Sequence, residues 1–300
     1  MFKGKPRAVG PCAILLFFTM GMPVSRGLSV PDPTAPQPPQ ASAKPAGVLQ
    51  IETVKTGLYV ITGGGGNSVL RLSGNGLIVV DGKLADNYDE LRRKIRRIAE
   101  QPVRTVVNTS HYETHTGTNA KFLAGGGQVV AQENVTKNLV RSFGQRVAPP
   151  MFTYDREQKL QYGLVEVDLL HFGNARTSGD TVVYFPDLKA VAVGDLYSTD
   201  PEPDFSAGGS FVGWSHVLAE ILKLDFTVAI PGDGPTVSRV DVEALKLKID
   251  GVIARGSELV KSGVPKDQLM ARLHDRDAGW EPDFSGERLD RFYAELAQSR

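Results

Sequence analysis

A chain of 300 residues with 41% hydrophobic side chains can bury a sizeable core, as one large domain or two small ones. Lys plus Arg and Asp plus Glu number 34 each, and this balance gives no reason to expect a nucleic acid or an acidic membrane surface as partner. Cys12 is the single cysteine, so a disulfide framework and a thiolate metal cluster are excluded.

Lys3, Lys5 and Arg7 precede an apolar run from Ala13 to Met22, followed by Pro23-Val24-Ser25-Arg26. A positive segment before a short apolar one reads as a secretory signal, placed over residues 1–28 with cleavage between Ser25 and Ser29. An apolar run of about ten residues falls short of a bilayer, so no membrane attachment is expected after cleavage and the protein is expected to be secreted or periplasmic. Residues 29–47 are rich in Pro, Ala, Gln and Ser and form an expected disordered linker. The folded domain is then 48–300.

Short β-branched runs open the domain at Leu49–Val54, Leu58–Thr62, Ser68–Leu72 and Leu77–Val80, with glycine-rich turns between them. The Gly63-Gly64-Gly65-Gly66-Asn67 run is followed by a strand and not a helix, which argues for a flexible hairpin loop near a site over a phosphate cradle. A capped helix is expected over Asp86–Glu100, with Leu91, Ile95 and Ile98 inward and the basic cluster Arg92, Arg93, Lys94, Arg96 and Arg97 solvated. A strand at 104–107, a short helix, a strand at 128–131 and a helix from Glu133 follow. The second half again sets strands before helices. Its strands are expected at 164–168, 181–185 and 190–193, before a helix near 214–224 and a further strand at 226–231. A long helix from Ser238 to about Lys261 and amphipathic helices at 266–274 and 287–297 complete the chain. Strands followed by helices, twice, imply sheets packed inside and helices outside.

The unusual residues gather in loops that end strands. Asn108-Thr109-Ser110-His111-Tyr112-Glu113-Thr114-His115-Thr116-Gly117-Thr118-Asn119 follows a β-branched strand. If extended, it points His111, Glu113 and His115 one way; if helical, it keeps His111 and His115 on one face. Either geometry allows a metal, and the competing reading is a polar loop with two solvated histidines. His171–Asp180, Val193-Gly194-Asp195 and Ile230-Pro231-Gly232-Asp233-Gly234-Pro235 are the other such loops. His171 reads as a packing or edge histidine, and His216 and His274 as structural or solvated.

In order and spacing these loops resemble the metallo-β-lactamase superfamily, in its broad hydrolase branch, over about Val48 to Arg239. The family's His-x-His-x-Asp-His signature, framed by Asn-Thr before and Thr-Gly-Gly-Asn after, maps without a gap onto Asn108 to Asn119. The resemblance implies an α/β fold: a four-layer αββα sandwich of two mixed β-sheets flanked by helices, with a metal site along one edge. In that register the family's first two histidines fall on Ser110 and Tyr112, its aspartate on Thr114 and its third histidine on Arg176. His115 and the bridging Asp195 are retained, and the last histidine becomes Asp233.

A binuclear zinc hydrolase site is therefore expected to be degenerate, since a guanidinium cannot ligate a cation and repels one. Two readings stay open. In the first no cofactor binds, Arg176 pairs with Asp195 or Asp233 in place of metal charge, and a small-molecule ligand occupies the remnant cleft. In the second, one divalent metal (Zn, Fe or Mn) sits on His115, Asp195 and Asp233 and hydrolyses an ester, lactone or amide. Ligation by His111, Glu113 and His115 would need a register shift that the flanks do not support. A serine mechanism through Ser110, His115 and Asp195 lacks a Gly-x-Ser-x-Gly elbow.

Overall fold

The computed structural model describes residues 48–144, 146–199, 201–273 and 283–299. The secretory signal and linker expected over 1–47, and His274, lie outside the described residues.

The first sheet has seven strands in sequential order: β1 (Gln50–Lys55), β2 (Leu58–Thr62), β3 (Ser68–Ser73), β4 (Gly76–Val80), β5 (Val103–Asn108), β6 (Gln128–Gln132) and β7 (Phe152–Tyr154). Strands β1 to β4 pair antiparallel through tight turns. Strands β4 to β7 pair parallel and need crossovers. The crossovers carry α1 (Tyr88–Ile98), α2 (Glu113–Thr116), α3 (Asn119–Ala124) and α4 (Glu133–Phe143).

The second sheet contains β8 (Glu157–Tyr162), β9 (Val165–Leu170), β10 (Val182–Phe185), β11 (Ala190–Gly194), β12 (Val228–Pro231) and β13 (Val237–Ser238), in the order β13-β12-β11-β10-β9-β8. Only the β11–β12 pair is parallel, and α5 (Phe211–Ile221) lies in its crossover. The chain continues through α6 (Arg239–Lys261), α7 (Lys266–Leu273) and α8 (Gly286–Gln298).

Alternation of side chains along the strands builds three main cores, beside a small cluster of Ala131, Val135, Leu139 and Val147 under α4. Val60, Ile78, Val80 and Val107 of the first sheet meet Val167, Leu169, Val183 and Ile230 of the second. On the reverse face of the first sheet, Ile61, Val79 and Val106 pack on Leu91 and Ile95 of α1 and Phe122 of α3. On the reverse face of the second, Val191 and Ala229 pack with Trp214 of α5, Ile249 of α6 and Leu296 of α8. The layers are therefore helix, sheet, sheet, helix. Each fully buried Val, Leu or Ile contributes roughly 1.5–3 kcal/mol through removal from water.

Two expectations are corrected. Strands β7 and β8 were not read from the sequence: β8 is Glu-Gln-Lys-Leu-Gln-Tyr, a mostly exposed edge strand with no β-branched residue, whose inward face is only the half-buried Leu160 and Tyr162. The helix expected from Asp86 begins instead as a 3-10 turn over Ala85–Asn87, and Asn87 makes no side-chain cap. Its amide donates to the Gly64 carbonyl at 3.1 Å.

That bond belongs to a set that fastens the glycine-rich β2–β3 hairpin loop. The Asn67 backbone N–H donates to the Gly232 carbonyl at 2.7 Å, and its side-chain amide donates to Pro231 and Gly234 carbonyls at 3.0 and 2.8 Å. The loop expected to be flexible is thus tied to the end of β12. Asn67→Ala deletes one buried and one part-buried side-chain bond and leaves carbonyls unpaired, so urea denaturation should show a loss of about 2 kcal/mol. An unchanged midpoint would contradict this anchoring.

Candidate functional site

The strand ends that carry the unusual residues lie along one edge of the sandwich, and backbone bonds stitch them together. The Thr181 N–H donates to the Thr109 carbonyl at 2.8 Å across the two sheets. The Gly232 N–H donates to the Gly194 carbonyl at 2.8 Å, joining the ends of β11 and β12.

The loop after β5 is held by its own flanking residues. Asn108 donates to the His115 carbonyl at 3.0 Å and exchanges amide bonds with Asn119 at 3.2 and 2.8 Å. The Thr116 hydroxyl donates to the Tyr112 carbonyl at 3.0 Å. Gly117 lies so close to its surroundings that a Cβ would come within 2.8 Å of the Ala85 nitrogen and the Lys83 carbonyl. These framing positions shape the loop and do not themselves form the central charged cluster.

Asp81, at the end of β4, is the residue the loop closes around. It adopts a left-handed backbone (φ 59°), an uncommon conformation for a non-glycine. Its carboxylate accepts the Thr109 N–H at 2.7 Å and the Thr109 hydroxyl at 2.6 Å. It also lies 2.9 Å from His115 Nδ1, an ion-pair contact off the axis of a directed hydrogen bond. On the other side of the ring, His115 Nε2 lies 3.1 Å from Asp195 Oδ2. The His115 side chain is 2% exposed and that of Asp195 is 26% exposed.

Burial opposes charge on His115, but Asp81 and Asp195 outweigh it and raise its pKa well above the ordinary histidine value. Burial likewise opposes charge on Asp195, and His115 and Arg176 hold its pKa below the usual carboxylate range. Gly232 closes over this pair: a Cβ there would lie 2.5 Å from Asp195 Oδ1 and 3.1 Å from His115 Cε1.

His111 is equally buried and behaves in the opposite sense. Desolvation is the main cause that lowers its pKa to about 4, aided by the charges on His115 and Arg176. Its ring stacks on Tyr112 (centroids 4.3 Å apart) and lies 6.4 Å from Phe143. The polar-loop expectation of two solvated histidines is therefore corrected, because both rings are inside.

Arg176 follows the β9 strand in a turn shaped by Asp180, whose carboxylate accepts the Thr177 N–H and hydroxyl, each at 2.7 Å. Burial is the main cause raising the Asp180 pKa to about 7. The bidentate pair expected between Arg176 and Asp195 or Asp233 does not form. The guanidinium lies over the Tyr112 ring, 5.6 Å from its centroid, while the Tyr112 hydroxyl donates to Asp204 at 3.0 Å. The reason is local: Asp195 is engaged by His115, and the Asp204 N–H pins the Arg176 carbonyl at 2.8 Å. Burial opposes the charge on Arg176, and Tyr112, Asp195, Asp180 and Asp204 outweigh it, so its pKa is raised.

Of the other expected site residues, Ser110 is 1% exposed with its hydroxyl unpartnered. Thr114, in the family's aspartate position, packs against the hairpin loop, 3.3 Å from where a Cβ on Gly65 would stand. Asp233 is exposed on its turn and does not join His115 and Asp195 in a metal-holding group. Glu113 lies in α2. His171 anchors the same turn as Arg176, its Nδ1 2.8 Å from the Asp180 carbonyl. His216 is exposed on α5.

Two central residues were missed in the sequence. Asp81 offered a weak signal, a carboxylate directly after a buried strand. Lys83 offered none. Its side chain is fully buried, and its ammonium donates to the Ile61 carbonyl at 2.9 Å and to the Gly66 carbonyl. Desolvation lowers its pKa to about 7, opposed by Asp81 and Asp233.

The superfamily's metals can be tested against these groups. Three of the resembled ligand positions carry a hydroxyl, a phenol and a guanidinium, and both His115 nitrogens face carboxylates. Among the described residues, no group of three or more His, Cys, Asp or Glu side chains is arranged to hold a metal ion. The residues present do not fit a binuclear centre.

No protein-family model matches the chain. Among curated proteins, it is 24% identical over 224 residues to the 2,4-dinitroanisole O-demethylase subunit alpha of Nocardioides sp. (strain JS1661), covering 74% of this chain and 68% of that one. Among solved structures, a metallo-β-lactamase from Pontibacter korlensis matches with a TM-score of 0.61 at 17% identity, over 67% of this chain and 99% of that one. This chain has the metallo-β-lactamase fold. The DIM-1 metallo-β-lactamase (TM-score 0.59, 21% identity, 68% and 97% covered) matches the same fold. So does the mono-zinc form of FIM-1 from Pseudomonas aeruginosa (TM-score 0.61, 15% identity, 75% and 100% covered).

Within this metallo-β-lactamase fold, the two buried histidines should titrate in opposite directions. His115, with a raised pKa, contributes stability that is fully present below about pH 6.5 and is lost only as pH rises through its folded value. His111, with a lowered pKa, contributes stability that is present above about pH 6.5 and is lost as pH falls toward 4, by roughly 3 kcal/mol. Histidine-ring NMR at pH 7.5 should show one imidazolium at His115 and a neutral ring at His111. Two neutral rings would contradict the assignment.

Proposed function

We propose that this is an exported metallo-β-lactamase-fold protein that lacks conventional binuclear metal hydrolysis and binds a small-molecule ligand in the remnant cleft. The observation that carries this reading is the ion pairing of His115 on both sides of its ring, by Asp81 and Asp195. The protonated imidazole supplies positive charge between two carboxylates, where a ligating nitrogen would have to be neutral. Arg176 adds a second fixed cation beside Asp195. Buried charges persist only when paired or otherwise compensated, and this arrangement compensates them with protein groups alone. Export is supported by the positive and apolar segments at the start of the sequence. No described helix is long and apolar enough to cross a membrane.

The second reading is a mononuclear metal-dependent hydrolase of an ester, lactone or amide. It draws on the fold, of which one solved relative is in a mono-zinc form. Similarity to a 2,4-dinitroanisole O-demethylase subunit extends the candidate substrates to an activated aryl methyl ether. In this reading His115, Asp195 and Asp233 would hold one ion, which requires His115 to lose its proton and Asp233 to move inward.

Elemental analysis of the full chain, after incubation with zinc, manganese or iron and exhaustive dialysis, separates the two. The first reading expects well below one equivalent of each metal and no shift in the thermal midpoint. One tightly held equivalent, removed by Asp195→Ala, would instead establish the second.

A further inference from the structure

We propose that Arg176 makes the remnant cleft a receptor for a singly charged carboxylate, with the guanidinium taking over the role of a metal ion in holding a ligand oxygen. This rests on the metal-free reading above.

The Arg176 side chain is partly buried, yet its guanidinium forms no hydrogen bond or ion pair with any described residue. Its close partner is the face of Tyr112, a contact that leaves the N–H donors of the guanidinium unmatched. A stack of side chains holds it in place: Arg176 over Tyr112, Tyr112 against His111, and His111 near Phe143. The Tyr112 hydroxyl is in turn fixed by Asp204. A planar donor fork on a rigid platform is suited to two-point recognition of a carboxylate.

Two polar atoms next to Tyr112 in the sequence are also unmatched. The Ser110 hydroxyl and His111 Nδ1 are both buried and have no partner among the described residues. In a folded protein, buried polar atoms left unmatched by protein groups are normally satisfied by water or a bound molecule.

Charge narrows the ligand class. Asp180, Asp195 and Asp204 all act electrostatically on Arg176 without pairing with it. Each unit of ligand charge there meets repulsion from these carboxylates, and the two directed hydrogen bonds of a guanidinium–carboxylate pair must offset it. Three acids outnumber the one guanidinium, so a dianion such as sulfate doubles the net repulsion without gaining further donors.

Isothermal titration of the metal-stripped full chain at neutral pH, with acetate, benzoate, sulfate and benzamide, tests the assignment. At least one of the two carboxylates should bind and raise the thermal midpoint, while sulfate and benzamide should not. Arg176→Gln should weaken carboxylate binding at least tenfold. Arg176→Lys, which keeps the charge and loses the fork, should weaken it less and guards against a folding defect in the first variant. Unchanged binding in Arg176→Gln, or sulfate bound as tightly as the carboxylates, would overturn the proposal. Failure of both carboxylates to bind a chain shown to be metal-free overturns this inference alone. Carboxylate binding that appears only with one equivalent of bound metal overturns the metal-free reading with it.

Discussion

The site depends on one buried carboxylate. Asp81 takes the backbone and side-chain donors of Thr109 and stands against His115, so the end of β4 dictates how the loop after β5 folds. Its left-handed backbone turns the chain sharply at Gly82, where the Gly82 N–H donates to the His115 carbonyl at 2.7 Å. Closeness is required here: a Cβ on Gly82 would overlap the Thr118 hydroxyl. A strained residue persists only where its surroundings over-determine it, and three contacts to one carboxylate supply that.

The sandwich places this carboxylate where chemistry can collect. Parallel pairing of β4 with β5, and of β11 with β12, sends the ends of these strands to a common edge. Asp81, the loop from Thr109, Asp195 and Gly232 are then brought together by strand direction and not by proximity in sequence. The β2–β3 hairpin closes the same edge through Asn67 and the buried ammonium of Lys83. The site is therefore built from loops, but these loops are tied to strand ends, which fixes its geometry.

How much of this was legible follows from where each determinant lies. The fold and its layers could be read because β-branched runs and amphipathic helices repeat in order, and because Asn108, Thr109, Gly117 and Asn119 form a contiguous frame. The structure gives that frame a physical meaning: its members bond to one another and to Asp81, so it serves the loop whether or not the loop ends in ligands. Strands β7 and β8 were illegible because β7 is three residues long with only Tyr154 buried, and the inward face of β8 is only Leu160 and Tyr162, both half-buried, which is too little alternation to read. Lys83 was illegible because a lysine after a turn reads as solvated, and only the carbonyls of Ile61 and Gly66, on the neighbouring hairpin, explain its burial. The partner of Arg176 depended on Tyr112 and Asp204, which are distant in sequence, so the expected carboxylate pair gave way to a stacked arrangement.

In the proposed metal-free reading, the charges at the site account for one another without an added ion. His115 sits between Asp81 and Asp195, and Arg176, stacked over Tyr112, adds positive charge beside Asp195. In the register that the resemblance implies, Ser110, Tyr112 and Arg176 are mutually consistent replacements: a phenol stacked under a guanidinium would stand at two of the histidine positions. The most direct test is a crystal structure of zinc-soaked protein with anomalous data at the zinc edge. Charge balance by protein groups alone predicts no peak at His115 and an Nε2–Asp195 ion pair that survives the soak. A peak at about 2.0–2.1 Å from His115 Nε2, the usual zinc–imidazole distance, would contradict it.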